Sequence, residues 1–161
     1  MTFTGPLARP FEGLSLLLAA SSSFQDAVRA SDATEALQKI HYPYAIDEII
    51  GTPDARPFAI ITDDDSCSWN VDKNGIQRGS LLLTFEFLVE SETVDNFVAF
   101  LNTVGAILEE MRALANTPTG GGGFYWNLRG YEKFTTPAIC QREDFPNIIF
   151  YGATFVVFWE S

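Results

Sequence analysis

Between residues 77 and 91 the chain alternates cleanly: Leu81, Leu83, Phe85, Phe87 and Val89 fall on one side of an extended strand, and Leu82, Thr84, Glu86, Leu88 and Glu90 on the other. Side chains of a strand project alternately, so one face of this segment is core and the other is mixed. A second run, 148–159, sets Ile148, Phe150, Val156 and Phe158 against Ile149, Tyr151, Phe155, Val157 and Trp159. Both of its faces are apolar, whereas a strand on a half-solvated antiparallel sheet shows one polar face. The chain's own helices shield one side, which leaves the other for a second subunit. Residues 58–62 form a shorter apolar run fenced by Pro57 and by Asp63, Asp64 and Asp65, and strand-like sequence also spans 125–139. Asn74-Gly75, a dipeptide that tolerates positive φ in a tight turn, predicts an antiparallel link between the 58–62 and 77–91 strands.

Helical spacing governs the remainder. Phe11, Leu14, Leu17 and Leu18 predict one short helix, and Phe24, Ala27 and Val28 a second, capped by Ser22 or Ser23. Ala33, Ala36, Leu37 and Ile40 follow Ser31 and Asp32 and stop before Pro43, predicting a third. The longest stretch begins at Thr93, a suitable N-cap, with Asp95 in the first turn and Val94, Phe97, Val98, Leu101, Val104, Leu108 and Met111 at i, i+3, i+4, i+7 spacing. Leu83, Phe85, Phe97, Leu101 and Leu108 are the expected core. The order α, α, α, β, β, α, β, β predicts an α+β fold, an antiparallel (mixed) sheet of about four strands packed with helices. One domain spans 1–161, with 1–10 as an N-terminal arm and 117–123, which contains Gly120 to Gly123, as a flexible loop.

Composition narrows the function. With 161 residues, 47% hydrophobic and fourteen Phe, the chain is far too apolar for an intrinsically disordered one. Twenty-one acidic against ten basic side chains give a net charge of −11, which excludes a general basic surface for gripping phosphates. No basic, apolar and small-residue leader pattern and no long apolar run is present, so the expectation is a soluble, unexported protein with no membrane partner, whose Cys67 and Cys140 are ordinary thiols. Two Cys and one His, His41, cannot build a structural zinc site.

Nor does a catalytic set emerge. Asp63 to Asp65 carry hard oxygen donors but lack the spaced ligands, central Gly and distal Glu of a calcium loop, so a solvated strand end is the simpler use. Gly120 to Gly123 follow a helix and have no Lys-Ser or Lys-Thr after them, unlike a phosphate loop. His41 sits at a predicted helix end as a cap or packing group, and Arg56 suits pairing with a surplus carboxylate. No cofactor, metal or catalytic residue is assigned. The acidity is regional, concentrated between Asp47 and Asp95. It fits a solubilising face, a surface that repels phosphate, or one that meets a basic partner.

Several segments resemble the tail terminator proteins of long-tailed bacteriophages over most of the chain: Leu14-Ser15-Leu16-Leu17-Leu18-Ala19-Ala20, Ile40-His41-Tyr42-Pro43, Arg56-Pro57-Phe58-Ala59-Ile60-Ile61, and Gly79-Ser80-Leu81-Leu82-Leu83-Thr84-Phe85-Glu86, followed by the long helix and an aromatic closing strand. The glycine run has no place in the resemblance. The resemblance implies a structural virion protein at the neck end of the tail, assembled in the host cytoplasm. It would form a homohexameric ring that caps the tail tube protein, stops polymerisation, meets the head connector or stopper protein, and passes DNA without binding it. Asp63, Asp64, Asp65, Glu86, Glu90 and Glu92 then become candidates for an acidic lumen, and Phe150, Phe155, Val157 and Trp159 for a subunit interface. The alternatives are another neck or head-tail joining protein, or a small metal- or ligand-binding α+β domain built on Asp63 to Asp65 and an aromatic pocket near Trp69 and Trp126, which a metal-dependent thermal shift would reveal.

Overall fold

The computed structural model describes residues 8–42, 57–63, 69–89, 93–115, 117, 123–127, 131–142 and 145–161, the backbone alone for 88–89, 131–142 and 145–150. Three short helices, α1 (Arg9–Ala19), α2 (Ser22–Val28) and α3 (Ala33–Leu37), precede β1 (Ile40–His41), β2 (Phe58–Asp63), β3 (Asn70–Val71) and β4 (Gln77–Val89). The long helix α4 (Val94–Ala115) then leads to β5 (Tyr125–Asn127), β6 (Tyr131–Arg142) and β7 (Phe145–Glu160). The class is α+β, with a mixed, mostly antiparallel sheet. Its seven strands exceed the four expected because three of them are only two or three residues long, below what alternation reveals.

The sheet runs β1-β2-β4-β7-β5, with β3 also on β4 and β6 also on β7. The two longest strands, β4 and β7, lie next to each other and each is paired along both edges. β4 pairs with β7 antiparallel from Arg78 opposite Glu160 to Val89 opposite Ile149, and with β2 from Leu81 opposite Asp63 to Glu86 opposite Phe58. The Asn74-Gly75 turn forms as its chemistry dictates, Gly75 at φ +81° with its N–H donating to Asp72 O and the Asp72 carboxylate accepting from Asn74 and Ile76 N–H. The expected antiparallel pairing of the 58–62 strand with β4 is present, but the turn itself closes the short β3–β4 hairpin inserted between them. Ile40 and His41, expected at a helix end, instead form a parallel strand on β2. Arg9 and Pro10, expected in an arm, are the first turn of α1, where Pro's missing N–H costs nothing. Ala8 is the N-cap of that helix, and residues 1–7 of the expected arm and most of the 117–123 loop lie outside the described residues.

Parity divides the sheet. Ala59, Ile61, Leu81, Leu83, Phe85, Tyr151, Ala153, Phe155, Val157 and Trp159 point to the inner face, where Leu14, Leu17 and Leu18 of α1, Phe24 and Val28 of α2, and Phe100, Val104, Ile107 and Met111 of α4 close the core. Of the helix residues expected there, Phe97, Leu101 and Leu108 are flanking, half-buried positions. Helix α4 has apolar residues around more than one side, and the sheet selects the stripe that sets Phe100 edge-on to Phe87 at 5.5 Å and beside Tyr151, also at 5.5 Å. At the end of the sheet the Trp159 indole lies flat over Gly79, where a Cβ would come within 3.0 Å of Cζ2 and Nε1. Trp69 meets it edge-on at 5.0 Å and Phe124 at 5.5 Å.

Truncating Phe100 to Ala should therefore cost about 3–5 kcal/mol, whereas Val94→Ala, at a position 78% exposed, should stay within about 0.5 kcal/mol. Urea denaturation of the two variants measures both, and equal losses would contradict the placement of the stripe.

Candidate functional site

The sheet's outer face is formed by the even-numbered residues of β2, β3, β4 and β7 and the odd-numbered ones of β1 and β5, and the buried side chains of the described helices do not pack on it. Its middle is apolar and closed, with Phe58, Ile60 and Val156 all buried and His41 edge-on to Phe58 at 5.3 Å. Burial, helped by the nearby Lys39 charge, pushes the His41 pKa down and favours neutral imidazole. A Thr84–Thr154 hydroxyl hydrogen bond of 2.9 Å crosses from β4 to β7 between these side chains.

Towards the other end this face opens. One cross-strand row reads Asn70, Arg78, Glu160, Tyr125, and the next brings Ser80, Phe158 and Asn127 together. Tyr125 is 78% and Phe158 43% exposed, and with Asn70, Arg78, Asn127 and Glu160 they line a shallow cleft of about 550 Å³. Arg78 Nε donates to Glu160 Oε2 at 2.6 Å across the β4–β7 ladder. Both groups are exposed, so the pair fixes side-chain positions more than it stabilises the fold. No cluster of His, Cys, Asp or Glu able to hold a metal occurs among the described residues, and none of the described helices is long and apolar enough to cross a membrane.

The structure separates the acidic candidates. Asp63 is exposed at the end of β2 opposite Leu81, on the inner-face parity, while Glu86 is half-buried on the outer face between Phe58 and Gly152. The two do not form one wall. Asp64, Asp65, Glu90 and Glu92 lie outside the described residues. The interface candidates are corrected more sharply: Phe155, Val157 and Trp159 are buried beneath the chain's own helices, at 6%, 0% and 2% exposure. A strand apolar on both faces does not tell which face its own helices take. Phe150 has outer-face parity opposite Leu88, and its side chain is not among those described.

Sequence reasoning also missed a polar cluster. Ser21, the N-cap of α2, accepts the Phe24 N–H and donates its own hydroxyl to Glu110 Oε2 of α4 at 2.8 Å. Ser22 Oγ and Ser23 Oγ donate to Glu110 Oε1 at 3.0 and 2.7 Å, and Ser23 N–H to Oε2 at 3.0 Å. The Ser23 backbone and hydroxyl donors, with smaller help from Ser21 and Ser22, hold the carboxyl down at about 2 against the opposing effect of burial. Since the cradle's anion comes from its own chain, the arrangement is a clamp between α2 and α4. The run Ser21-Ser22-Ser23 was visible in the sequence, but its partner lies 87 to 89 residues away.

The pH dependence of this clamp has a defined sign. A carboxylate whose pKa is lowered on folding stabilises the fold fully above its ordinary value near 4.5, and that stabilisation drains away as pH falls towards about 2. Glu110→Gln should lower stability at pH 7 by about 1 kcal/mol after allowance for solvent screening, and the gap to the wild type should close in acid. Thermal denaturation at pH 7 and pH 2.5 measures it; a gap that widens in acid would contradict the clamp. Comparison of the chain with protein-family models and with curated proteins finds no match to either.

Proposed function

We propose that this protein is a structural virion component of the tail-terminator type: a homohexameric ring that caps a phage tail tube, ends its polymerisation, and joins it to the head connector. The observation that supports this most is the two-faced sheet, whose described helices take one side while Tyr125 and Phe158 stand exposed on the other. Aromatic side chains gathered around an Arg on an otherwise ordinary surface are the composition of an interface core. The net charge of −11 fits the second part of the role, because a like-charged wall gains no ion pairs with a phosphate backbone and lets DNA slide. On this reading the protein catalyses nothing and holds no cofactor; its partners are further copies of itself, the tube protein, the connector or stopper, and passing DNA.

Light scattering should give a mass of about 107 kDa, six times the 17.8 kDa chain, and electron-microscopy class averages should show a closed ring with a central hole. A monomer at tens of micromolar would overturn the proposal. In assembled particles, replacing Glu86, Glu90 and Glu92 together by Lys should slow genome release, and unchanged ejection kinetics would remove these three acids from the channel wall.

A further inference from the structure

The chain has seven asparagines, and only Asn74 is followed by glycine. The backbone nitrogen of the residue after an asparagine can close a five-membered ring on the side-chain carbonyl carbon, and a glycine there puts no side chain in the way. The fold sets this pair at the tip of the β3–β4 hairpin, where Lys73, Asn74 and Gly75 are all exposed. Around it the backbone is engaged: Asp72 N–H donates to Ile76 O at 2.9 Å, and the Asp72 carboxylate accepts from Asn74 N–H at 2.7 Å and from Ile76 N–H at 3.1 Å. The Asn74 carboxamide, by contrast, has no partner among the described residues. A Cβ at Gly75 would meet nothing within 4 Å, so the approach to the nitrogen is open. One bond opposes attack, from Gly75 N–H to Asp72 O at 3.0 Å. It closes a hairpin whose β3 is two exposed residues long, and so short a ladder opens locally at little cost.

We propose that Asn74 is a self-modification site, converted to isoaspartate and aspartate by attack of its own backbone. Hydroxide removes the Gly75 amide proton, the nitrogen bonds to Asn74 Cγ, and the side-chain nitrogen takes a proton from water and leaves as ammonia. Water then opens the succinimide at either carbonyl; nothing is oxidised and no cofactor is needed. Opening to isoaspartate has the larger consequence, because the main chain then runs through the former side chain and gains a methylene between residues 74 and 75. The Asp72 carboxylate, which bridges the N–H groups on either side of that linkage, loses its fit, and with it goes the turn that sets Asn70 opposite Arg78. Trp69 immediately precedes β3 and meets Trp159 edge-on at 5.0 Å, so a loosened β3 frees this indole from the end of the sheet. The conversion needs no second copy and is independent of the ring proposed above.

The test incubates the folded full chain in mildly alkaline buffer and follows residues 74–78, which trypsin releases by cleavage after Lys73 and Arg78; an unincubated sample digested in parallel sets the background. Asn74 should convert at least about tenfold faster than Asn102 or Asn127, with isoaspartate identified by chromatography and by labelling with an isoaspartate-specific methyltransferase. Tryptophan emission should shift in step with conversion, and Asn74→Gln, whose longer side chain would have to close a six-membered ring, should abolish both changes. A folded chain whose residue 74 stays asparagine while the same chain in urea converts would overturn the site. Conversion with unchanged tryptophan emission would overturn the release of Trp69.

Discussion

Twelve consecutive residue pairs tie β4 to β7, and the architecture follows from that ladder. It places Leu81, Leu83 and Phe85 alongside Val157, Phe155 and Ala153 on a single apolar surface large enough to recruit three helices. It fixes the register at which Arg78 meets Glu160, and so where the sheet ends in a polar row. It also decides parity for every neighbour: β2, β3, β5 and β6 all pair with one of these two strands, and a slip of one residue would exchange their inner and outer side chains together.

What could be foreseen followed the length over which a pattern persists. The alternation of β4 and the helical periodicity of α4 extend over many residues, enough to identify both elements, the α+β class and the Leu83 and Phe85 core positions. β1, β3 and β5 carry two or three residues each, and their strand character comes from the edges they are offered by β2, β4 and β7. The burial of Phe155, Val157 and Trp159 was hidden for a related reason. Their neighbours Val156 and Phe158 are as hydrophobic, and only the position of the helices, a tertiary fact, separates the two sets. The Glu110 clamp shows the same limit, since Ser21, Ser22 and Ser23 look like any polar turn until α4 supplies their carboxylate.

The functional candidates sort along the same lines. The acidic residues cluster by region along the sequence, but the sheet sends Asp63 and Glu86 to opposite faces, so regional charge does not by itself make a channel wall. The exposed aromatics behave differently: Tyr125 and Phe158 come from segments about thirty residues apart and are gathered by β5 pairing with the last turns of the ladder. A local surface assembled in this way exists only when the fold is complete.

Because β7 is at once central in the sheet and later in the sequence than every other element, its position bears on how the protein is made. During synthesis β4, with its unbroken Leu-Leu-Leu and Phe-rich stretch, leaves the ribosome some seventy residues before the strand that covers its free edge. Over that interval the nascent chain presents an unpaired apolar strand, the kind of segment that holdase chaperones shield and that seeds inclusion bodies when expression outpaces them. Slow translation and low temperature, by thinning the pool of unfinished chains, are the conditions that favour recovery of the folded protein.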